Sequence, residues 1–552
     1  DWHRAFGAHD VQLFGGFRMN SYSYNASNIT GYNNDQDKMP NMAYSLQYKS
    51  YGGANDKWTN LAYYLNAGYN YKNKYFLTGT MSMEASSRFG KKAEQGIKLC
   101  GVTWGLFPSL QAAWVMSSEK WFNVKGIDYL KLTGGYEISG NDNIDYYATR
   151  TYFANTQFLD KATALVLENI QNPKLQWETT KRYNIGLQAS TLNNRLNFAI
   201  EYFHSNTDHL LTRKAVSDIS GLATMWSNDG SLRNSGVDFN VNAMLVQRKD
   251  WRWQAGFSIG HYKNEITALP STSLNTIRTY ALDENGNRIA DTEKQIHGYT
   301  SSVYGTNNIL TAVGHAAGVF YGYKTAGVFS SDAEARAAGK DGNYLRYPTG
   351  LAEQPSRDFK AGDVHFVDQN GDGWINEADM VVIGDPNPDI YGNIYTSLSW
   401  KGLKLDVNFK YSLGNDVFNY QRSQLEALNN NWNQTTAAVN RWRYEGQKTD
   451  IPRAMDPTST QWVNNERFSD RWIEDGSYLK LKNIRLTYNV PVNLSWLLGL
   501  SVWGECNNVF TISKYTGNDP EFSAGNGVLY QGIDAGYLNQ GRNFNLGVTI
   551  NL

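Results

Sequence analysis

Residues 402–414 read GLKLDVNFKYSLG, and this stretch decides the class of fold. From Leu403 to Tyr411, every second residue is large and apolar, and the residues between them are polar. A period of two predicts a β-strand with one apolar face and one polar face. The stretch is about as long as a tilted strand that crosses a bilayer, whereas ordinary strands have about 5–6 residues.

The same alternation recurs along the chain and predicts about 14–16 strands. It also closes the chain, where Leu546, Val548, Ile550 and Leu552 share one face. The predicted strands with the clearest pattern are 11–17, 61–72, 74–85, 104–116, 129–138, 176–190, 195–205, 234–245, 251–262, 394–400, 403–412, 478–489, 501–512 and 542–552.

The links between these strands alternate between short and long. Short turns are predicted at Asn73 and at residues 191–194, 248–250 and 401–402, whereas the long links are 267–389, 415–476 and 513–541. This asymmetry is typical of an outer-membrane barrel, which has tight periplasmic turns and large external loops. We therefore predict an all-β fold, a transmembrane antiparallel β-barrel whose residues 267–389 form a long extracellular loop region.

A soluble β-sandwich or propeller is the alternative fold. No self-similar repeat of about 40–50 residues is present, which weakens a propeller. The long strands and asymmetric links weaken a sandwich. A helical membrane protein is excluded, because no segment has about 18 continuous apolar residues.

Composition limits the functional classes. The formal net charge of −1 gives no basic field for nucleic acid, so we predict no nucleic-acid partner. The eight histidines form no HExxH pair, and no GxSxG or Walker motif is present, so we predict that the chain is not an enzyme. Cys100 and Cys506 match no metal or redox spacing.

Residues 367–379 read VDQNGDGWINEAD and have the spacing of a calcium loop. Oxygen-bearing side chains occupy its ligand positions, a tryptophan offers its backbone carbonyl, and Gly373 stands where the sharp turn needs glycine. We predict a structural calcium ion that stiffens an extracellular loop, and the alternative is a metal-free Asp/Asn/Gly turn. An aspartate replaces the usual final glutamate. The predicted ligands are Asp368, Asn370, Asp372, Trp374 and Asp379, with Asn376 at a position that often acts through water.

Four aromatic residues in the link after residue 415 are candidates for contact with a substrate or a partner. Exposed aromatic faces stack on sugar rings or on partner surfaces. Local packing and a membrane-interface belt are the alternatives. The four residues are Trp432, Trp442, Tyr444 and Trp462.

Several motifs in order along the chain resemble the SusC-like (SusC/RagA-type) family of TonB-dependent outer-membrane transporters of Bacteroidetes. Residues 70–90 read NYKNKYFLTGTMSMEASSRFG, where the family has Asp-Gly-Ser-Ser-Arg-Phe and this chain has Glu84 and Ala85 in place of Asp-Gly. The other motifs are Phe107-Pro108-Ser109 with Ala113-Trp114, KLTGGYEISGN at 131–141, residues 362–388 with Tyr391-Gly392, FSDRWIEDGSYLKLKNIRLTY at 468–488, Asn507-Asn508-Val509-Phe510, and Asp519-Pro520-Glu521.

The resemblance implies that residues 1–552 are the C-terminal portion of a plugged barrel of about 22 strands. The plug, the first strands and the segment that contacts the TonB complex are then expected outside this sequence. The implied function is TonB-energised import of oligosaccharides or peptides, with a SusD-like surface lipoprotein as a lid. The implied place is the outer membrane of a Gram-negative bacterium, in contact with its lipid, where two barrel–lid pairs can form a dimer.

Three rival functions stay open at this point. A passive outer-membrane pore or secretion channel would need neither plug nor lid. A barrel enzyme would need a nucleophile and a base in the wall, and a soluble glycan-binding protein would be extracted without detergent.

Overall fold

A computed structural model describes residues 1–34, 45–158, 162–305, 308–351, 354–492, 496–538 and 540–551. Leu552, which the sequence places in the final strand, lies outside these residues, as do 306, 307, 352 and 353 of the predicted loop region. Over the described ranges, no helix combines the length and the apolar character needed to cross a membrane.

Strands dominate the fold. The first thirteen are β1 (Trp2–Phe6), β2 (His9–Asn34), β3 (Ser45–Tyr71), β4 (Tyr75–Ser86), β5 (Ile97–Leu99), β6 (Val102–Val115), β7 (Ile127–Asn141), β8 (Tyr152–Phe158), β9 (Ala162–Asn169), β10 (Glu178–Thr191), β11 (Leu196–Ala215), β12 (Thr224–Gln247) and β13 (Trp251–Ala268).

The second part of the chain contains two short helices, α1 (Asp332–Ala338) and α2 (Tyr420–Leu425). Its strands are β14 (Thr276–Thr279), β15 (Lys294–Ser301), β16 (Ile309–Ala312), β17 (Val319–Gly322), β18 (Thr325–Val328), β19 (Arg346–Leu351), β20 (Gln354–Asp358), β21 (Val364–Phe366), β22 (Val381–Gly384), β23 (Ile390–Trp400), β24 (Leu403–Leu413), β25 (Asp416–Asn419), β26 (Ile473–Asp475), β27 (Tyr478–Val490), β28 (Gly499–Ser513), β29 (Ile533–Asp534) and β30 (Asn543–Asn551).

The chain forms two compact units. The first contains residues 1–119, 132–185 and 205–232, and the second contains residues 120–131, 186–204 and 233–552. In the first unit the strand order begins β1-β2-β3-β4-β6-β7, with β5 paired to β6. In the second unit it ends β13-β23-β24-β27-β28-β30.

Over the described residues the main sheet has 16 strands, which agrees with the predicted range of about 14–16. Its strands follow each other in chain order, and neighbours such as β23 and β24 are antiparallel. The tight turns are also confirmed: Lys72 and Asn73 have φ of 56° and 54°, and Lys401 has φ of 51°. Positive φ at such positions matches the twist of the flanking strands.

Apolar side chains lie exposed at every second position of the long strands. In β30, Leu546, Val548 and Ile550 are 89%, 61% and 57% exposed. In β3, Tyr63 and Leu65 are 47% and 54% exposed. In a globular protein such a face would be covered, so these strands have the outward apolar face of a membrane barrel.

Aromatic pairs flank the short turns. Trp251 and Trp400 are register partners beside two such turns, and their rings stack with centres 5.6 Å apart. In the first unit, Tyr75 and Trp114 stack with centres 6.3 Å apart. Aromatic rings at strand ends are typical of the interfacial belts of outer-membrane barrels.

The main hydrophobic cores of the second unit lie in the long links. Strands β14, β15, β16, β17 and β22 form a separate five-stranded sheet there. Phe329, Phe366 and Ile375 belong to one buried cluster, and Phe320 and Trp472 belong to another. The predicted loop region is therefore a folded part of the protein.

Candidate functional site

The candidate calcium loop lies between β21 and β22, and the carboxylate of Asp368 organises its first half. Oδ1 of Asp368 accepts a hydrogen bond of 2.7 Å from the amide of Gly371, and Oδ2 accepts one of 2.7 Å from the amide of Gly373. Gly373 has φ of +86°, a conformation that side chains other than glycine's rarely allow. The glycine predicted from the spacing is therefore required by the turn.

The middle of the loop is fixed to an earlier part of the same link. Asp372 Oδ1 accepts a hydrogen bond of 2.7 Å from the amide of Trp374, and Oδ2 accepts one of 2.7 Å from the amide of Leu282. The Trp374 side chain is only 4% exposed, and its indole N–H donates to the carbonyl of Asp283 at 2.7 Å. Residues 282–283 thus hold the loop from outside.

Asp379, the predicted last ligand, is fully buried. Its Oδ1 accepts a hydrogen bond of 2.9 Å from the amide of Gln369, and Oδ2 accepts one of 2.8 Å from the amide of Asn376. Burial raises the pKa of Asp379 to about 7, and the nearby charges of Asp368 and Asp372 act in the same direction. The three carboxylates therefore repel each other within one short loop.

The residues fit a hard cation in their chemistry, since Ca²⁺ prefers carboxylate and carbonyl oxygens at these spacings. Within the described ranges, however, no three His, Cys, Asp or Glu side chains form a ready-made metal site. The carboxylates instead accept hydrogen bonds from the loop amides. Calcium binding at Asp368, Asn370, Asp372, Trp374 and Asp379 stays a prediction.

The four aromatic candidates separate into two pairs. Trp432 and Tyr444 are 70% and 65% exposed. Trp442 and Trp462 are partly buried: the indole of Trp442 donates to the carbonyl of Ser330 at 3.1 Å, and the carbonyl of Trp462 accepts two hydrogen bonds from side chains. Only the exposed pair offers free aromatic faces for a partner or a substrate.

Sequence reasoning missed a charged network inside the predicted wall. The ammonium group of Lys480, whose side chain is 2% exposed, lies 2.8 Å from Glu521 Oε2 and 3.0 Å from Asp519 Oδ2. Lys410 lies 2.6 Å from the other oxygen of Glu521. This network fixes the link after β28 to the polar faces of β24 and β27. The motif Asp519-Pro520-Glu521 was visible in the sequence, but its lysine partners were not.

Comparisons with known proteins agree with this architecture. The family described as "TonB dependent receptor-like, beta-barrel" matches residues 1–355. TonB-dependent receptor P3 of Formosa agariphila is 27% identical over 570 aligned positions, which cover 100% of this chain and 51% of the relative. TonB-dependent receptor SusC of Bacteroides thetaiotaomicron is 27% identical, over 89% of this chain and 44% of the relative.

Among solved structures, the RagAB peptide transporter matches with a TM-score of 0.73 at 21% identity, over 100% of this chain and 54% of that one. Together with the exposed apolar strand faces, these matches define an outer-membrane β-barrel. The chain belongs to the TonB dependent receptor-like, beta-barrel family, and its relatives include SusC. It spans about half the length of the curated relatives it matches.

Proposed function

We propose that this chain forms the barrel wall and the outer surface of a TonB-energised importer. The imported nutrients are oligomeric, either glycan oligomers or peptides. The observation that carries the proposal is the family match over residues 1–355, joined to whole-chain similarity with TonB-dependent receptors. The similarity to SusC and to a peptide transporter supports substrates larger than single sugars or amino acids.

The partner that fits the proposal is a SusD-like surface lipoprotein that covers the outer end of the barrel. The long links support a docking role, because they fold around buried cores and so present a fixed surface. The exposed side chains of Trp432 and Tyr444 supply rigid aromatic area of the kind that interfaces favour. Energy coupling to the TonB complex belongs to the same proposal.

Calcium belongs to the same proposal as a structural ion of the links. The loop offers three carboxylates and one amide oxygen, and the buried Asp379 gains a positive counter-charge when the ion binds. An ion at this place would hold the loop against residues 282–283, to which Asp372 and Trp374 are already attached.

The composition of the native complex tests the proposal. We expect the protein, extracted by detergent from its own outer membrane, to copurify with a surface lipoprotein. Trp432→Ala combined with Tyr444→Ala should release this partner, whereas Trp442→Ala, which removes a partly buried ring, is the comparison that distinguishes docking from loss of fold. A folded particle without lipoprotein would favour the alternative, a passive outer-membrane pore or secretion channel.

A further inference from the structure

A cavity of about 340 Å³ opens in the second unit beside the candidate calcium loop. Its wall includes residues 278–280, Leu282, Arg288, residues 375–377 of the loop segment, and Arg467. Three arginines and one glutamate line the cavity, so positive charge prevails in it. Since a water molecule occupies about 30 Å³ in the liquid, the space suits a small polar group with several waters.

Arg467 is the unusual member of this wall. Its guanidinium carbon lies 4.2 Å from the ring centre of Tyr347 and 5.3, 5.5 and 5.9 Å from the ring centres of Phe359, Phe366 and Tyr323. Four aromatic rings therefore surround one cation. Attraction to ring faces offsets part of the cost of removing this charge from water.

The rings leave one hydrogen-bonding group of Arg467 unsatisfied. Its Nη1 is buried and has no hydrogen-bond partner among the described residues. Burial lowers the pKa of the guanidinium, and the charges of two tyrosines act against this effect. Removing a cation from water is costly unless an acidic group pairs with it, and a bound anion would lower that cost.

The two arginines at the rim are also poorly neutralised. Arg278 lies 3.7 Å from Glu293, and the side chains of this pair are 49% and 34% exposed, so water screens the interaction. The guanidinium of Arg288 stacks 4.4 Å above the ring of Tyr280. Stacking on the ring fixes the orientation of the guanidinium plane. The N–H groups point outward in that plane, so stacking does not prevent them from donating to an oxyanion.

We propose that this cavity is a binding site for an oxyanion, a carboxylate or a sulfate group, held by Arg278, Arg288 and Arg467. Planar guanidinium groups bind both kinds of oxyanion through paired, charge-assisted hydrogen bonds. The group can be free in solution or part of a larger acidic molecule. The site goes beyond the proposed import function and does not depend on it.

Calorimetric titration of the detergent-purified protein with sulfate and with acetate, against chloride at matched ionic strength, tests the site. We expect saturable binding of at least one of the two oxyanions. The one that binds more tightly shows whether the site prefers a sulfate or a carboxylate group. Arg288→Gln should weaken this binding about tenfold, because one charged hydrogen-bond pair is lost. Arg443→Gln, which changes an exposed arginine that does not line the cavity, should leave the affinity unchanged.

Arg467→Met disrupts a cage inside a core and can impair folding, so the decisive variants are those of the exposed rim. Equal affinity of the wild type and an Arg278→Gln, Arg288→Gln double variant would overturn the proposal. Binding of neither oxyanion above the level of chloride would overturn it as well, and the aromatic cage would then be the complete environment of Arg467. Oxyanion binding by a protein that imports nothing would contradict the proposed function alone.

Discussion

Arg453 holds Asp363 with two parallel hydrogen bonds of 2.8 Å, one from Nε to Oδ1 and one from Nη2 to Oδ2. Asp363 is fully buried, and Oδ1 also accepts a hydrogen bond of 3.1 Å from Asn465. The pair thus joins the link between β13 and β23 to the link between β24 and β27. Two links that are separate in sequence form one folded body around it.

We predict that Arg453→Met destabilises this body by about 3–5 kcal/mol, because Asp363 is left as an unpaired buried charge. Limited proteolysis of the purified protein should show new cleavage within residues 320–370 and 415–470. Arg443→Met is the control, since that side chain lies in the same link and is exposed. An unchanged protease pattern in Arg453→Met would show that the pair does not join the links.

For calcium, we predict that chelation and Asp379→Ala have the same effect. Each removes the ion or its buried ligand, so loop 368–379 should lose its attachment to residues 282–283. The emission of the buried Trp374 should then shift towards the red. Added calcium should reverse the shift in the wild type and fail to do so in Asp379→Ala.

The control for the calcium loop is Glu377→Ala, which removes an exposed carboxylate of the same segment that has no predicted ligand position. Calcium should still restore the Trp374 emission of this variant. If chelation changes nothing in the wild type, the loop is a metal-free turn, as the alternative interpretation of the sequence has it.

Glu466 makes the stability of the second long link, residues 415–476, dependent on pH. Burial raises the pKa of this carboxyl from its ordinary value of 4.5 to about 7, and the side-chain amide of Asn429 donates a hydrogen bond to it. The folded state keeps a proton that the unfolded state loses. This contribution to stability is therefore complete below about pH 4.5 and is lost as the pH rises through about 7.

Glu466→Gln keeps an oxygen for Asn429 and removes the titration. The free energy of unfolding of the wild type should fall between about pH 5 and about pH 8, and the variant should show a smaller fall. Glu445→Gln, at an exposed position of the same link, should behave like the wild type. A variant with the full pH dependence of the wild type would assign the effect to another group.

The two faces of β27 should respond differently to charge. Leu486 is 51% exposed on the apolar face, whereas its neighbour Arg485 lies 3.7 Å from Glu505 and 4.1 Å from the ring centre of Trp503. Leu486→Arg should lower the stability of the membrane-inserted protein by about 2–4 kcal/mol. Thr487→Arg, on the same face as Arg485, should cost much less; equal effects would contradict the assignment of the lipid face.

The strands could be predicted from the sequence where contact with lipid on one face makes apolar and polar residues alternate, as from Leu403 to Tyr411. Strands β2, β3, β11 and β12 are longer than predicted, because their extensions carry polar residues on both faces and lose the period of two. Folding of the links was also missed. Their cores join residues such as Phe329 and Val463, which are far apart in sequence.

The candidate sites show the same limit. Asp368, Asp372 and Asp379 could be predicted as one loop, because a local spacing determines their arrangement. Arg278, Arg288 and Arg467 could not be brought together, since only the tertiary fold of the links places Arg467 beside the other two. Exposure likewise separates Trp432 from Trp442, although both are tryptophans of one link.

Energy dependence of uptake tests the central claim most directly. Cells that carry the complete transporter would be given fluorescent glycan and peptide oligomers, with the TonB system intact, deleted, or deprived of the proton gradient. If the transporter is energised by TonB, the fluorescent oligomers should accumulate in the cells only when both the TonB system and the proton gradient are present. Equal uptake under all three conditions would contradict the account and identify a passive pore.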